Sequence, residues 1–262
     1  MRAKLTIEYA GTRYHGWQVQ KNAKTVAGEI TRAVEEATGR RDFELYGSGR
    51  TDAGVHALAQ VAHLEIDVNL PPETLRRRIN DALPSDINLL KVEPVRHRFH
   101  ARHDAIARSY VYQIARRRSA FAKAHVWWVK EDLDVGRMRT LMAHFVGLHD
   151  FRAFSDDDPD EKSTSVHIEA FEVYEDGDLL LFHIEGSHFL WKMVRRLVGV
   201  IVEVGRGALS ASEAEALLRS ASDIPAKLTA PASGLFLERV YYPGDPRDLP
   251  VQAASILARW RT

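Results

Sequence analysis

The sequence predicts an α+β protein with two ferredoxin-like halves, each with the element order βαββαβ, whose sheets are joined or face each other across a cleft. Three observations predict this fold. The spacing of hydrophobic residues has the period of strands in some segments and the period of helices in others. The same order of elements occurs twice along the chain. A chain of 262 residues, 45% of them hydrophobic, is long enough for two compact halves. We expect the halves to be residues 1–104 and 105–262.

The first half contains four predicted strands and two predicted helices. In chain order they are strand 5–9, helix 26–38, strands 43–47 and 60–68, helix 72–83 and strand 87–95. Thr25 is the expected N-cap of the first helix, and Gly39 is expected to end it. Pro71 and Pro72 open the second helix and Pro84 ends it, because proline suits a first helical turn and not an interior.

The second half repeats this order with one extra helix. Its predicted elements are strands 109–114 and 125–129, a helix begun by Asp134, strands 166–174 and 179–185, helix 189–204, a helix begun by Ser210, strand 235–241 and a terminal helix 251–261. Asp176-Gly177 predicts the turn of a hairpin. Ser210 and Glu213 have the spacing of a capping box, which marks a helix start.

Composition excludes several classes of protein. The chain has no cysteine, which rules out disulfides and thiolate chemistry. The N-terminal segment lacks the apolar core of a signal peptide, and no apolar run approaches the length of a membrane span. We therefore expect a cytoplasmic protein that does not contact membranes.

Charge is balanced overall but uneven along the chain. With 36 basic and 36 acidic residues, the protein is not expected to coat nucleic acid indiscriminately. Seven arginines stand against one acid, Asp104, between positions 96 and 118: Arg96, Arg98, Arg102, Arg108, Arg116, Arg117 and Arg118. Such a stripe can neutralise phosphates, and the alternative is a solvated surface. An acidic segment over 156–161 offsets it.

The candidate catalytic group is Asp52, within the stretch GSGRTDAGVHA from Gly47 to Ala57. Glycine permits sharp turns and close approach to a ligand, and Arg50 can hold the carboxylate ionised. The stretch fits neither a dinucleotide fingerprint nor a phosphate loop, because Asp52 stands at the third glycine position and Val55 follows Gly54. A solvated aspartate in a tight turn is the alternative.

Further candidates lie in the second half. Tyr110 and Tyr112 are two residues apart on a strand and so share a face, which suits either base stacking or an ordinary core. Arg195 and Arg196 interrupt an apolar helix, with Lys192 one turn earlier. A buried arginine there must be paired, since an isolated buried charge is costly.

Seven blocks, in order, resemble the bacterial tRNA pseudouridine synthase A family over nearly the whole chain. They are YAGTRYHGWQVQ, GRTDAGVHALAQVAHL, NDALPSDINLL, FHARHDAIARSYVYQI, FVGLHDFRAF, MVRRLVGVIVEVG and APASGLFLERVYYP. The chain departs from the family pattern at His103, at Arg196 and at Ala27-Gly28. These departures concern RNA contact and substrate preference more than the reaction.

The resemblance implies the pseudouridine synthase fold, in which the two ferredoxin-like halves have a mixed, mainly antiparallel sheet and a central active-site cleft. It also implies conversion of uridine to pseudouridine at positions 38, 39 and 40 of the tRNA anticodon stem-loop, with a flipped-out target base. It implies that Asp52 is the catalytic carboxylate, that Tyr110 stacks on the base, that Arg195 pairs with the aspartate, and that Leu235 belongs to the apolar wall beneath the ring. Candidates for phosphate contacts are Arg50, Lys192, Arg116, Arg117 and Arg118. No cofactor or metal is implied, and the expected partners are tRNA and a second copy of the chain.

Several alternatives remain open. Asp52 can attack C1′ or C6, or promote a glycal. The chain can instead be a synthase of this family for other tRNA sites or another RNA, a non-catalytic RNA-binding protein, or a hydrolase with an aspartate nucleophile, which would need a second carboxylate. His97, His100 and His103 recur every third residue, but arginines alternate with them and disfavour a metal. His56 is expected to hold the loop by a hydrogen bond rather than act as an acid or base.

Overall fold

A computed structural model describes residues 1–161, 163–220 and 222–254. Within those ranges the strands are β1 (Arg2–Tyr9), β2 (Phe43–Gly47), β3 (His56–Ile66), β4 (Ile87–Pro94), β5 (Ala107–Ala115), β6 (Trp127–Trp128), β7 (Gly147–Asp150), β8 (Ser165–Asp176), β9 (Leu179–Gly186) and β10 (Leu235–Tyr241). The helices are α1 (Val26–Thr38), α2 (Pro72–Ala82), α3 (Val135–Phe145), α4 (Met193–Gly205), α5 (Ala211–Ala216) and α6 (Ile224–Lys227). The predicted α+β class is confirmed.

The chain folds into two compact units. The first comprises Met1–Ile106 and Phe236–Arg247, and the second comprises Ala107–Leu235 and residues 248–254. In the first unit the strand order is β4-β1-β3-β10, with β2 also paired to β3. In the second it is β5-β9-β8-β7, with β6 paired to β5. Within the units the pairings are antiparallel except β3 with β10 and β5 with β6. The division at residues 104 and 105 stays a prediction.

In the first unit, local signals set the ends of α1. The Thr25 hydroxyl accepts a hydrogen bond from the Gly28 amide, and Gly39 ends the helix in the left-handed region with φ of 69°. One side of α1 is buried through Val26, Ile30 and Val34. Helix α1 contacts α2, which in turn contacts β4. The apolar spacing seen in the sequence therefore corresponds to the buried face of this unit.

In the second unit, α4 is buried on nearly every side. A Cβ at Gly199 would lie 1.7 Å from the Leu228 carbonyl oxygen, and one at Gly205 would lie 2.5 Å from the Met138 sulfur. Only glycine allows the helix to approach both neighbours so closely. This packing fixes the helix that carries Arg195 and Arg196.

Some predicted boundaries were wrong. Helix α4 begins at Met193 and not at 189, because Leu190–Met193 forms a turn in which Lys192 has a φ of 63°. Strand β3 begins at His56 rather than at 60. The hairpin turn consists of Gly177 and Asp178, since Asp176 pairs with Leu179.

Other elements gave no clear sequence signal. Strand β7 and helix α6 have four residues each, too few for a periodic pattern. The predicted terminal helix over 251–261 falls mostly outside the described residues. Its first residues, 251–254, are irregular, and the Ala254 amide donates to the Gln113 side-chain oxygen at 2.7 Å.

Candidate active site

Asp52 lies in the loop that joins β2 to β3. The Val55 amide donates to the Asp52 carbonyl at 3.1 Å, which closes a β-turn with Ala53 and Gly54 at its centre. Gly54 has a φ of 79°, as the third residue of a type II turn requires. The Asp52 side chain is half-buried. The glycine signal in the sequence therefore marks a real turn with the carboxylate at its first position.

The segment after β1 holds this loop from one side. The Trp17 amide donates to the Thr51 carbonyl at 3.1 Å, and the Gly54 amide donates to the Tyr14 carbonyl at 3.2 Å. The sequence did not predict that this segment holds the Asp52 loop, because the segment matched only as one block of the family resemblance. Gly16 and Trp17 stand in this segment, but the sequence does not show which residues they contact.

Buried polar groups hold the loop from the β3 side. The Ser48 hydroxyl donates to the Gln60 side-chain oxygen at 2.7 Å, and the Gln60 side-chain nitrogen donates to the Gly49 carbonyl at 3.2 Å. Gln60 is fully buried. With both ends of the loop bonded, the backbone at Asp52 is held in a defined position before any ligand binds.

His56 is the first residue of β3, directly after this loop. Its buried ring accepts a hydrogen bond at Nδ1 from the Gly11 amide at 3.0 Å and stacks on Phe236 with ring centroids 4.6 Å apart. Because Nδ1 accepts, the neutral ring carries its proton on Nε2. The structure thus shows a hydrogen bond at His56, and its role in holding the loop stays a prediction.

The two tyrosines of β5 have different environments. Tyr112 is fully buried, its hydroxyl donates to the Pro231 carbonyl at 2.7 Å, and burial raises its pKa. Tyr110 is half-buried, and its ring meets the edge of Phe189 with centroids 5.1 Å apart. Of the pair, Tyr112 is therefore core, and the role of the more exposed Tyr110 toward a ligand stays a prediction.

Arg195 is oriented by the chain that leads into β10. Its Nε donates to the Ala230 carbonyl at 2.7 Å, and the Ala230 amide donates to the Arg195 carbonyl at 3.0 Å. Leu235 follows a short turn over Ala232–Gly234 and is buried. Helix α4 and the segment that precedes β10 thus form one packed support for Arg195.

Arg196, the next residue on α4, is buried and paired. It forms an ion pair with Asp156, which also accepts a hydrogen bond from the Lys192 ammonium at 2.6 Å. Burial alone would raise the pKa of Asp156, but the hydrogen bonds from Lys192 and Arg196 outweigh it and hold that pKa below its ordinary value. The expectation that a buried arginine here must be paired is confirmed.

The remaining basic candidates are exposed, and some have partners within the protein. Arg116 pairs with Glu175 at 3.0 Å, and Arg117 pairs with Asp178. The Arg118 guanidinium lies over Trp128, 5.8 Å from the ring centroid. Arg50 is exposed in the Asp52 loop. A phosphate would compete with the carboxylates at Arg116 and Arg117, and the role of all four residues in RNA binding stays a prediction.

Of the histidine series, His100 is half-buried, whereas His97 and His103 are exposed. His100 Nδ1 accepts from the Arg102 and His103 amides, and its ring lies 4.2 Å from His103 and 4.8 Å from His63, measured between centroids. Burial lowers the pKa of His100, and repulsion from His103 and His63 adds to this effect. Across the residues that the structure describes, no three acidic, histidine or cysteine side chains are grouped so as to hold a metal ion.

None of the helices in the described ranges has both the length and the apolar character of a membrane span.

Comparison with known proteins identifies close relatives of the chain. The model of a family described as tRNA pseudouridine synthase matches residues 5–104 and 141–243. A tRNA pseudouridine synthase A of Ruminiclostridium cellulolyticum is 39% identical over 244 residues, which cover 92% of this chain and 99% of that protein. A tRNA pseudouridine synthase A 2 of Clostridium tetani is 38% identical over 243 residues, covering 91% and 98%.

A chain of a crystallised Cbf5–Nop10–Gar1 complex aligns with a TM-score of 0.42 and 12% identity, over 78% of this chain and 44% of that one. This likeness is too low to carry an argument.

Proposed function

Since the chain belongs to the tRNA pseudouridine synthase family and isomerises uridine to pseudouridine in tRNA, we propose that Asp52 is its catalytic carboxylate and uridines 38, 39 and 40 its targets. The observation that carries the assignment of Asp52 is its half-buried position on a loop whose backbone is hydrogen-bonded from both sides. An active site needs such a preorganised group, because reorganisation during the reaction would add to the barrier.

The isomerisation suits a single carboxylate. The N1–C1′ bond breaks, the uracil rotates, and a C5–C1′ bond forms. The proton lost from C5 is balanced by one gained at N1, and nothing is oxidised or reduced. Asp52 serves this chemistry by attack at C1′, by attack at C6, or by promoting a glycal.

Three further residues have proposed roles in the reaction. Tyr110 stacks on the flipped-out uracil and assists removal of the C5 proton, and its half-exposed ring supports this role. Arg195, oriented by Ala230, stabilises the negative charge of the catalytic aspartate. Leu235 supplies an apolar surface beneath the ring.

RNA is bound through shape and charge in this proposal. Arg50, Lys192 and the arginines from Arg116 to Arg118 contact phosphates, and the balanced net charge limits indiscriminate binding. The enzyme works in the cytoplasm as a homodimer that engages one tRNA with both copies. Sedimentation of the free protein and of its tRNA complex tests the dimer.

Release of tritium from uridine C5 tests the proposal directly. Anticodon stem-loop and full tRNA transcripts carry C5-tritiated uridine, and matched transcripts carry cytidine at positions 38, 39 and 40. We expect release by the wild type from the first set only, and no release by Asp52→Asn, which preserves side-chain size. Asp42→Asn, an exposed aspartate in the same unit, is the matched control and should retain full release.

Each outcome has a definite meaning. Undiminished release from the cytidine-substituted transcripts would contradict the proposed positions and favour other tRNA sites. Release by a folded Asp52→Asn variant at the wild-type rate would contradict the catalytic role of Asp52.

A further inference from the structure

The turn before α4 has an unusual backbone. The Met193 amide donates to the Leu190 carbonyl at 3.2 Å, so Trp191 and Lys192 occupy the two central positions. Lys192 has a φ of 63° and a ψ of 0°, the values of the third residue in a type II turn, where glycine is usual. Among the described residues, no other non-glycine residue has a positive φ. Strained backbone of this kind concentrates at functional sites.

Neighbouring groups hold the turn in this conformation. The Trp191 amide donates to an Asp157 carboxylate oxygen at 2.9 Å, and the Asp156 amide donates to the Trp191 carbonyl at 3.4 Å. The Lys192 ammonium bonds to Asp156 and also lies 4.7 Å from the centroid of the Trp191 ring. The backbone and one face of the indole are thus held in place, although 53% of the residue is exposed.

Trp191 is close in the chain to a residue that contacts Tyr110, the proposed partner of the target base. Phe189, two residues earlier, contacts the ring of Tyr110. Two residues of extended chain span at most about 7 Å. In the proposed function Tyr110 stacks on the target uracil, so the indole stands within reach of a nucleotide beside it.

The exposed indole of Trp191 suits a base as its ligand. Around Trp191 the charges of Lys192 and Arg196 are balanced by Asp156 and Asp157. A neutral, preoriented aromatic face binds unpaired bases by stacking, which tolerates any base. We infer that Trp191 is a stacking platform for the unpaired base next to the target uridine, an inference that rests on the proposed function.

Fluorescence of 2-aminopurine tests this inference, because stacking on an indole quenches it. The probe replaces the nucleotide 5′ or 3′ of the target in a stem-loop that the wild type modifies, and binding is measured in an Asp52→Asn background. We expect quenching on binding, its loss on adding Trp191→Ala, and substantial retention with Trp191→Phe. Trp128→Ala, which removes an exposed tryptophan of the same unit, should leave the quenching unchanged.

Kinetics supply a second measurement. With Asp52 intact, Trp191→Ala should raise KM about 10-fold, the scale of one lost base stack, with little change in kcat. Thermal unfolding checks that the variant is folded.

The outcomes separate this inference from the proposed function. Equal quenching with and without the indole, in an RNA that the wild type converts, would overturn the inference and leave the function intact. A Trp191→Ala variant that changes sedimentation without changing quenching would assign the indole to a contact between copies instead. Absence of conversion in every tRNA would remove both.

Discussion

The backbone of Gly16 lies against the carbonyl of Thr51 so closely that a Cβ at position 16 would stand 2.5 Å from that oxygen. The same Cβ would lie 3.2 Å from the carbonyl carbon of Asp52. Gly16 also has a φ of 88°, which other residues rarely adopt. This contact sets how near the N-terminal segment comes to the loop that carries Asp52, and it gives a way to displace Asp52 without replacing it.

We expect Gly16→Ala to lower kcat about 100-fold, because a displacement near 1 Å at a reacting group has effects of this size. It should also lower the free energy of unfolding by about 1–3 kcal/mol. Steady-state tritium release and chemical denaturation measure the two effects.

Gly39→Ala is the matched control for Gly16→Ala. Gly39 has a φ of 69° with no atom within 4 Å of an added Cβ, so it shares the backbone strain without the contact. It should cost about 1 kcal/mol of stability and leave kcat unchanged. An equal fall of kcat in both variants would show that the Gly16 contact does not position Asp52.

His56→Phe tests the structural role of His56. Phenylalanine can keep the stacking on Phe236, but the buried Gly11 amide loses its acceptor. The free energy of unfolding should fall by about 1–3 kcal/mol, the cost of an unsatisfied buried group. The pH at which kcat is half-maximal should not move. A changed pH profile with unchanged stability would mean that the imidazole transfers a proton.

The two tyrosines of β5 should respond in opposite ways to loss of the hydroxyl. Tyr112→Phe leaves the Pro231 carbonyl without its donor and should cost about 1 kcal/mol of stability with kcat retained. Tyr110→Phe keeps the stacking ring and should lower kcat about 100-fold with KM and stability retained. Full activity of Tyr110→Phe would limit Tyr110 to stacking.

Asp156→Asn should destabilise the protein by about 2 kcal/mol, since it leaves the buried Arg196 without its anionic partner. This figure is below that for a fully buried pair because the Asp156 side chain is 31% exposed. Exposed Asp160→Asn, in the same acidic segment, is the control and should have no effect.

The effect of Asp156→Asn should depend on pH in a definite direction. The folded-state pKa of Asp156 is depressed, so its stabilisation is complete above the unfolded-state pKa of about 4. It is lost as the pH falls through the lower folded-state value. The difference in unfolding free energy between wild type and variant should be constant near pH 7 and should shrink below about pH 4. A difference that grows on acidification would contradict the ion pair.

The sequence alone predicted the class of fold, most of the elements and the loop that carries Asp52. These features depend on residues that are close to one another in the sequence. Thr25 caps the start of α1 through its side chain, and Gly39 ends the helix through its backbone geometry. Gly54 marks a turn because its φ is positive. Strands β2 and β10 were predicted with the bounds they have, since each is a short β-rich run between turn residues.

Other features were decided only by tertiary structure, because they depend on partners distant in the chain. Tyr110 and Tyr112 have the same local pattern, and Tyr112 is core because distant groups pack against it, among them the Pro231 carbonyl, 119 residues away, and Trp127. Gly11 meets His56 across 45 residues and Asp156 meets Arg196 across 40. Helix α4 starts later than predicted for the same reason, since Asp156 and Asp157 hold Trp191 and Lys192 in a turn. Periodicity describes which residues face a core, but only the packed chain determines which groups meet there.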